Sequence, residues 1–516
     1  MTENLQSYLG GRWRSGSQGG ASLYDPIRGT ELARVGNTGL DVADGFQFAR
    51  DTGAAALRSL TYRERGGLLE GIVNTLQRNR DAYYEIAQAN SGTVRSDSAI
   101  DIDGAIYTVS TYAKLAASLG DERFLLDGDA ASLAKDATFQ SRHILVPTRG
   151  LALLINAFNF PAWGMWEKAA PALLSGVPVV VKPATATAWL AQVMVKDVVE
   201  ANILPPGALS IICGGSTGLL DAVDPFDIVS FTGSAETASV IRLHPAISER
   251  SVRINVEADS VNSAVLAEGG ACGDAAFDLL VKEVVREMTQ KSGQKCTAIR
   301  RIFVPERQYK PAADAISQRL SKITVGNPRN ASVRMGALVS RTQLAAVRHG
   351  LDRLRQEAKV LYDGETHELI DVDPAVACCV GPTLLGSGDA DAANLVHELE
   401  VFGPVATLIP YRDEAHALSL VRRGQGSLVV SLYGSDVTRL SCLATELADS
   451  HGRVHVVSPD VAEAHTGHGN VMPQSLHGGP GRAGGGEELG GARALNFYHR
   501  RSAIQGSKAV VATLSR

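Results

Sequence analysis

The segment S-G-Q-K-C-T-A at residues 292–298 places Cys296 among small and polar neighbours. An apolar pattern at helical spacing leads into it, formed by Phe277, Leu280, Val281, Val284 and Met288. This spacing predicts an amphipathic helix. Gly293 then breaks the pattern, and residues 302–304 are typical of a strand, so Cys296 is predicted to lie on a tight helix-to-strand connection where a thiol can meet a substrate. The stretch alone leaves a second interpretation open, because a free cysteine is among the most buried residue types and often only fills a core.

Four further residues each follow a predicted strand: Lys182, Gly214, Gly233 and Glu257. The strands are predicted over residues 151–156, 177–182, 209–213, 228–231 and 254–256, and helices over 163–174 and 189–200. Alternating strands and helices favour a parallel sheet with helices on both faces. Ligands of such sheets bind beyond the carboxyl ends of the strands, so these four residues indicate a binding crevice. The chain has no G-x-G-x-x-G after a strand, and a glycine-rich turn by itself is a weak signal.

The composition is that of an ordinary globular protein. The 516 residues exceed one core, so two or three domains are expected. The net charge of −5 and the absence of a basic block give no reason to expect a nucleic-acid or anionic-membrane partner. The six cysteines show no C-x-x-C spacing and the twelve histidines no H-E-x-x-H pair, so neither a disulfide framework nor a metal site is expected. Residues 1–20 have no apolar signal-peptide core, and the expected location is the cytoplasm.

The pattern along the chain divides it into segments. Residues up to about 144 are predicted to be helical and partly irregular, with capping-box spacing at residues 61–64. A second α/β domain is predicted after residue 258. A turn signal at residues 400–404 interrupts the pattern of this domain. The glycine-rich tail at residues 465–491 has the composition of a flexible linker. Because residues 495–498 are strand-like, an ordered and closely packed loop is favoured instead.

Six motifs occur in an order that resembles one family. They are F-N-F-P at 158–161, V-K-P-A at 181–184, F-T-G-S at 231–234, E-A-D-S at 257–260, G-Q-K-C at 293–296 and E-V-F-G-P at 400–404. Each is only moderately specific, but together they resemble the aldehyde dehydrogenase superfamily over residues 150–497. The variant E-A-D-S, in place of a glutamate followed by L-G-G, and the tail L-H-G-G-P-G-R-A-G-G-G-E-E-L-G-G are most similar to the branch that oxidises coenzyme A (CoA)-linked semialdehydes in aromatic degradation, including benzoate degradation.

The resemblance implies an α/β fold with three parts. These are a Rossmann-type parallel-sheet cofactor domain at 1–137 and 147–257, an α/β catalytic domain at 258–465, and a small strand-bearing oligomerisation arm at 138–146 and 495–516. Residues 466–494 would form a glycine-rich loop at the substrate tunnel. Family members assemble as dimers or tetramers, and a homodimer is expected here.

The resemblance also implies the catalytic residues. Cys296 would attack the aldehyde as a thiolate, Asn159 would donate its amide to the oxyanion, and Glu257 would activate water against the resulting thioester. The burial expected at the end of a strand would raise the pKa of Glu257 toward a useful value. Without the resemblance, the turn interpretation is favoured for Asn159, which precedes Phe160-Pro161, and the alternative for Glu257 is a structural ion pair at the end of a strand. Relatives that transfer the acyl group to CoA generally lack this glutamate, so its presence implies hydrolysis to a free acid.

Nine residues are the expected cofactor contacts: Lys182, Thr185, Gly214, Gly218, Phe231, Gly233, Ser234, Glu400 and Phe402. NAD-preferring relatives often have a glutamate at the position of Thr185, where it binds the 2′-hydroxyl. A threonine near Lys182 would accept a 2′-phosphate, so NADP is the expected cofactor. Ala238 lies at a position where family members have a glycine, and its side chain disfavours close approach of the cofactor to the backbone there.

Two alternatives remain from the sequence. One is a general aliphatic or aromatic aldehyde dehydrogenase, and the other is a catalytically silent relative that only binds nucleotide or assembles. His465, His468 and His477 either line the tunnel region or are structural or solvent-exposed, and the sequence favours the second interpretation.

Overall fold

The structure, a computed structural model, describes residues 3–17 and 20–514. The strands are β1 (Glu3–Leu5), β2 (Ser7–Leu9), β3 (Arg12–Arg14), β4 (Ala21–Tyr24), β5 (Glu31–Val35), β6 (Leu125–Ser132), β7 (Phe139–Pro147), β8 (Ala152–Ile155), β9 (Val179–Lys182), β10 (Leu209–Ile211), β11 (Ile228–Thr232), β12 (Arg253–Glu257), β13 (Ser263–Leu266), β14 (Arg301–Pro305), β15 (Val325–Gly326), β16 (Lys359–Tyr362), β17 (Leu369–Ile370), β18 (Thr383–Gly386), β19 (Val405–Tyr411), β20 (Ser427–Tyr433), β21 (His451–Val457), β22 (Leu476–Gly478), β23 (Glu487–Leu489) and β24 (His499–Ser507). The α-helices are α1 (Val42–Phe48), α2 (Ala54–Ser59), α3 (Tyr62–Arg78), α4 (Arg80–Ser91), α5 (Arg95–Leu119), α6 (Trp163–Ser175), α7 (Ala188–Glu200), α8 (Ala235–Leu243), α9 (Pro245–Ser248), α10 (Ala275–Thr289), α11 (Tyr309–Leu320), α12 (Arg341–Leu354), α13 (Leu395–Glu398), α14 (Glu414–Arg422), α15 (Val437–Leu447), α16 (Leu495–Tyr498) and α17 (Lys508–Thr513).

The first large sheet has the order β12-β11-β8-β9-β10-β2-β3. Its strands from β12 to β10 are parallel, as the alternation of strands and helices predicts. Alternate residues face opposite cores: Val179 and Val181 belong to one buried cluster and Val180 to the other. Both faces are therefore apolar, which is why these strands appear as continuous hydrophobic runs in the sequence. The antiparallel β2–β3 hairpin at the edge was not predicted.

The second large sheet has the order β16-β18-β19-β14-β13-β20-β21 and is parallel except for β16. It also has a core on each face, with Phe303 in one and Ile302 and Val304 in the other. The chain enters it directly from the first sheet, because only residues 258–262 separate the end of β12 from the start of β13. The carboxyl edge of the first sheet therefore meets the amino edge of the second.

A third sheet, β24-β7-β6, is antiparallel, and its outer strands are largely exposed. Here the structure differs from the sequence prediction in two places. Residues 125–132, where no strand was predicted, pair with β7 as β6. Asp127, Gly128 and Asp129 hide this strand because they break the expected apolar alternation. Residues 495–498 form the short helix α16 rather than a strand, and β24 begins at His499.

The glycine-rich tail is ordered and closely packed, as favoured from the sequence. Its two short strands β22 and β23 pair antiparallel and place His477 opposite Glu488. A Cβ added at Gly478 would lie 2.0 Å from the carbonyl oxygen of Gly486, so the glycines permit backbone approach that no larger residue allows. The domain boundaries drawn from the sequence remain predictions.

Among the described residues, no helix has both the length and the hydrophobicity that crossing a membrane requires.

Candidate active site

The nucleophile turn, residues 290–296, connects α10 to β14 as the sequence predicted. After α10 ends at Thr289, three consecutive residues adopt left-handed backbone: Lys291 (φ 52°), Ser292 (φ 55°) and Gly293 (φ 69°). Such a conformation costs a non-glycine residue roughly 1–3 kcal/mol and persists only where surrounding contacts fix it. The turn is therefore a strained segment immediately before Cys296.

Buried contacts from other elements fix this turn. The Lys291 backbone N–H donates to Asp97 Oδ2 at 2.8 Å, and the Lys291 ammonium lies 3.7 Å from Asp101. Asp101 also accepts the backbone N–H of Trp163 at 2.7 Å, at the start of α6. One turn of α5 thus positions both the nucleophile turn and the segment that carries Asn159.

The Cys296 thiol faces a cavity that also contains Glu257. Burial, followed by the negative charge of Glu257, raises the pKa of Cys296 well above its ordinary value. The backbone carbonyl of Cys296 accepts the Asn262 side-chain amide at 2.7 Å. The resting thiol is therefore protonated, and its activation needs an acceptor for the proton.

Glu257, the last residue of β12, is the nearest carboxylate acceptor, and it has an imidazole partner. His477 Nε2 lies 3.2 Å from Glu257 Oε2, and both side chains are buried. Burial raises the pKa of Glu257, but the charge and hydrogen bond of His477 and the charge of Lys168 outweigh it and lower that pKa to about 2. The prediction that burial raises the pKa of Glu257 is therefore wrong in its net sign, because the sequence did not show which cations surround the carboxylate.

Behind this pair lies a buried charge network. The Lys168 ammonium lies 2.8 Å from Glu167 and 2.9 Å from Glu488. Glu488 also accepts the Asn255 side-chain amide at 2.7 Å. The network connects α6, the first sheet and the glycine-rich tail, and it satisfies charges that would be costly if buried alone.

Asn159 also reaches the site. It is 8% exposed and lines a cavity of about 470 Å³ together with Cys296 and Glu257. The neighbouring Phe158 ring packs edge-on against Phe402, with centroids 5.7 Å apart. The structure thus brings the three predicted catalytic residues into one cavity.

Five predicted cofactor contacts line the same cavity: Phe231, Gly233, Ser234, Glu400 and Phe402. Ser234 is the N-cap of α8, and its hydroxyl accepts the Thr237 N–H at 3.2 Å. Glu400 accepts the Ser260 N–H at 3.0 Å, while burial raises its pKa to about 7 despite the nearby Arg300. A Cβ on Gly233 would lie 2.5 Å from the Phe231 ring. At the start of α8, the Ala235 N–H donates to Asp259 Oδ1 at 2.9 Å, so this helix N-terminus already has one carboxylate acceptor.

The other four predicted contacts do not line this cavity, and Thr185 lines a separate one. Lys182 ends β9, its ammonium donates to the Pro183 carbonyl at 2.6 Å, and burial lowers its pKa to about 8. The Thr185 hydroxyl donates to the carbonyl of Gly214 at 3.3 Å. Gly218 lies four residues farther along the same exposed loop.

Two residues of the site, Lys168 and Asn156, were missed from the sequence, and His477 belongs to the site although the sequence favoured the other interpretation. His477 is buried against Glu257 and not merely structural, whereas His468 is structural, with its ring 2.5 Å from the Ser431 hydroxyl. Lys168 and Asn156 also line the cavity around Cys296. Asn156 directly follows β8, so its position after a strand was an available signal; Lys168 lies inside a helix and carried none.

The donor atoms of Cys296, Glu257 and His477 all lie within 4.8 Å of one another. A thiolate, a carboxylate and an imidazole are ligand types that Zn²⁺ accepts. The adjacent Lys168 ammonium would oppose a cation there. The expectation that the site uses no metal stays a prediction.

Comparisons with known proteins agree with this geometry. Residues 13–504 match the model of the aldehyde dehydrogenase family. The chain is 54% identical over 477 residues to a 3,4-dehydroadipyl-CoA semialdehyde dehydrogenase of Aromatoleum evansii, covering 92% of this chain and 93% of that protein. It superposes on the crystal structure of a putative aldehyde dehydrogenase from Burkholderia cenocepacia with a TM-score of 0.83, at 23% identity and 97% coverage of both chains. An NAD⁺ complex of an aldehyde dehydrogenase from Bacillus cereus superposes with a TM-score of 0.83, at 20% identity, covering 98% of this chain and 97% of that one. The fold class predicted from the sequence is confirmed.

The contact between Asp97 and the nucleophile turn yields a testable prediction. Asp97→Ala leaves the Lys291 N–H buried without an acceptor, so we expect the free energy of unfolding to fall by about 1–3 kcal/mol. We also expect slower alkylation of Cys296 by iodoacetamide, measured by peptide mass spectrometry because Cys272 and Cys442 are exposed and react too.

Asp97→Asn is the matched control for this prediction, since its side-chain oxygen still accepts the N–H. It should retain most of the stability and of the Cys296 reactivity. Equal losses in both variants would show that the charge of Asp97, and not its hydrogen bond, supports the turn.

Proposed function

The chain belongs to the aldehyde dehydrogenase family, and from this premise we propose that it oxidises a CoA-linked semialdehyde, 3,4-dehydroadipyl-CoA semialdehyde, to the free carboxylic acid with NADP. The observation that carries the proposal is the convergence of Cys296, Glu257 and Asn159 on one cavity. The substrate assignment rests on the relative that is 54% identical and named for this substrate. Benzoate degradation, the pathway suggested by the sequence, is part of the proposal.

In the first half of the reaction, Cys296 acts as the nucleophile. Its thiol loses a proton to Glu257, and the sulfur attacks the aldehyde carbon to give a thiohemiacetal oxyanion. The Asn159 amide and the Cys296 backbone N–H stabilise this oxyanion, and losing one such donor typically costs about 10²–10³ in rate. A nicotinamide cofactor held beside Glu400 and Phe402 would supply the hydride acceptor for this oxidation.

In the second half, Glu257 acts as the general base. A thioester on Cys296 remains after oxidation. Glu257 first releases the thiol proton to solvent, and the regenerated carboxylate then takes a proton from the water that attacks the thioester carbon. The carbon–sulfur bond breaks, Cys296 leaves as the thiolate and the acid departs. CoA is then part of the substrate's distant end and not the acyl acceptor.

The residues around the larger cavity fit a dinucleotide. Gly233 gives space beside the N-terminus of α8, which can bind a pyrophosphate. The buried Glu400 carboxylate would accept ribose hydroxyls, and Phe402 would pack near the nicotinamide. Lys182 and Thr185 would bind the adenosine ribose, and Thr185 next to a lysine supports a 2′-phosphate and hence NADP.

The narrow cavity on the substrate side of the site favours an aldehyde with an unbranched chain. The cavity enclosed by Phe160, Trp163, Val471 and the catalytic residues is only about 40 Å³, little more than the space of a few water molecules. An unbranched aliphatic aldehyde suits such a passage better than an aromatic one. The CoA portion would remain outside it, near the glycine-rich tail.

We also propose a homodimer in the cytoplasm. The β24-β7-β6 sheet exposes Leu126, Leu133 and Phe139, and an open sheet with exposed apolar residues favours association. Sedimentation equilibrium at micromolar concentration measures this state, and a monomer would contradict it. The location rests on six free cysteines, which suit a reducing compartment.

The experiment that tests the proposed function measures initial rates with NADP and NAD, each with a six-carbon CoA-linked semialdehyde and a free aliphatic aldehyde. We expect the fastest reaction with NADP and the CoA substrate, and none with Cys296→Ala. Equal rates with the free aldehyde would leave a general aldehyde dehydrogenase as the function. If neither NADP nor NAD is reduced with either aldehyde, the result would support the catalytically silent alternative.

Cofactor preference is tested at Thr185. In Thr185→Glu the carboxylate would repel a 2′-phosphate, and a repulsion of about 1.4 kcal/mol corresponds to tenfold in affinity. We expect KM for NADP to rise at least about tenfold while KM for NAD changes little. Thr185→Val, which removes only the hydroxyl, should show a smaller change. If the ratio of KM for NADP to KM for NAD is unchanged in Thr185→Glu, the 2′-phosphate does not bind beside Thr185.

His477 determines the expected pH dependence. Beside the cationic imidazole and Lys168, Glu257 stays ionised across the neutral range because its pKa is lowered to about 2. In His477→Phe, burial is opposed only by the charge of Lys168 and a hydrogen bond with Cys296, so the pKa of Glu257 rises and the base form is lost as pH falls. We expect the ratio of kcat at pH 6 to kcat at pH 8 to be at least about tenfold lower in His477→Phe than in the wild type. A factor of ten corresponds to a shift of one pKa unit.

His477→Gln is the control for that experiment, because it retains an N–H donor without the charge. It should show an intermediate pH profile. Identical profiles in all three proteins would show that His477 only packs against Glu257.

A further inference from the structure

Three adjacent strands of the first sheet end at polar side chains that carry buried atoms without a hydrogen-bond partner. The atoms are both side-chain polar atoms of Asn156, the Thr232 hydroxyl oxygen and Glu257 Oε1, and each of them is buried. Asn156 is 6% exposed and Glu257 3% exposed. Unpaired buried polar atoms are rare in proteins, and several in one place indicate a polar ligand.

The sheet register places these side chains together. Thr232 and Glu257 are direct partners in the β11–β12 pair. Phe231 and Ile155 are the last partners of the β8–β11 pair, so Asn156 follows beside Thr232. All three residues line both cavities that contain Cys296. The unpaired atoms therefore face the nucleophile from one row across the strand ends.

The kinds of atoms in this row are those that bind water. Together they offer the Asn156 amide as donor and acceptor, the Thr232 hydroxyl as either, and the Glu257 carboxylate as acceptor. A buried water typically makes about three hydrogen bonds to otherwise unsatisfied groups. The cavity beside them, about 40 Å³, has room for such a molecule.

We propose that Asn156, Thr232 and Glu257 together bind the water that hydrolyses the thioester on Cys296. Glu257 is the catalytic base of the proposed function, on which this inference rests, and Asn156 and Thr232 are positioning residues. Glu257 Oε1 takes one proton from the water, and the water oxygen forms the new bond to the thioester carbon. The carbon–sulfur bond breaks and its electron pair stays on Cys296 as the thiolate.

The two oxygens of Glu257 have separate surroundings that suit this assignment. Oε2 is 3.2 Å from His477 Nε2, whereas Oε1 has no hydrogen-bond partner. The charged groups that face this pair are Glu167 and Lys168 on α6 and Glu488 on β23. His477 thus fixes the orientation of the carboxylate and leaves one oxygen for the water.

The test separates acylation from hydrolysis in the full-length enzyme. Thr232→Val and Asn156→Leu each remove polar atoms from the row at nearly constant volume. Rapid mixing with aldehyde and NADP measures a burst of NADPH, which reports acylation, and then a steady rate. We expect the burst to persist while the hydrolysis rate, read from single-turnover decay of the acyl-enzyme, falls about tenfold in each variant, the factor for one ordinary hydrogen bond.

Hydroxylamine provides the discriminating readout. It attacks the thioester itself as a strong nucleophile and gives a hydroxamate, so it should restore turnover in both variants and more strongly than in the wild type. Thr445→Val, on the exposed face of α15, is the matched control and should behave as the wild type. Melting followed by circular dichroism verifies folding, and Thr232→Val alone suffices if Asn156→Leu does not fold.

Each other outcome has a defined meaning. An unchanged hydrolysis rate in folded variants overturns the inference. So does a burst that falls in parallel with the steady rate, or a change confined to KM for NADP, since either places these side chains against the cofactor. A wild-type enzyme that reduces no cofactor with the aldehyde contradicts the proposed function instead.

Discussion

The contact between the buried Glu257 carboxylate and the His477 imidazole is the interaction on which the rest of the site depends. Burial alone would make Glu257 neutral, and a neutral carboxyl group cannot accept a proton. His477 and Lys168 supply the positive charge that keeps it ionised. The glycine-rich tail must therefore reach the end of β12, and its close backbone packing, as at Gly478, makes that approach possible.

The meeting of two sheet edges provides the second constraint. Glu257, Thr232 and Asn156 lie at the carboxyl edge of the first sheet, whereas Cys296 and Glu400 precede strands at the amino edge of the second. Because residues 258–262 join the two sheets directly, the base and the nucleophile face each other across a short connection. Asn262 at its end bonds to the Cys296 carbonyl and fixes this arrangement.

Strain and charge are concentrated at this junction. The left-handed Lys291 and Ser292 are compensated by buried hydrogen bonds to Asp97 and Gly336. Lys295, next to the nucleophile, is paired with Glu287 at 2.8 Å and with Gln290 at 2.6 Å. A site with so many buried charges is stable only when each one has a partner, which is why several separate elements contribute to it.

The sequence by itself determined the parallel sheets, the helix-to-strand turn at Cys296 and the positions of Glu257, Asn159 and the cofactor motifs. The sheets, the turn and the position of Glu257 follow from local periodicity and from residues at strand ends, which are encoded in neighbouring positions, whereas Asn159 and the cofactor motifs follow from the family resemblance. The sequence did not determine β6, because Asp127 and Gly128 obscure its alternation, nor the helix at residues 495–498. Only the tertiary structure decided that His477 lies against Glu257, that the pKa of this carboxylate is lowered, and that Asn156 and Thr232 are left without partners. Those facts depend on contacts between residues as far as 220 positions apart, and electrostatics and hydrogen bonding there are set by distance in space rather than along the chain.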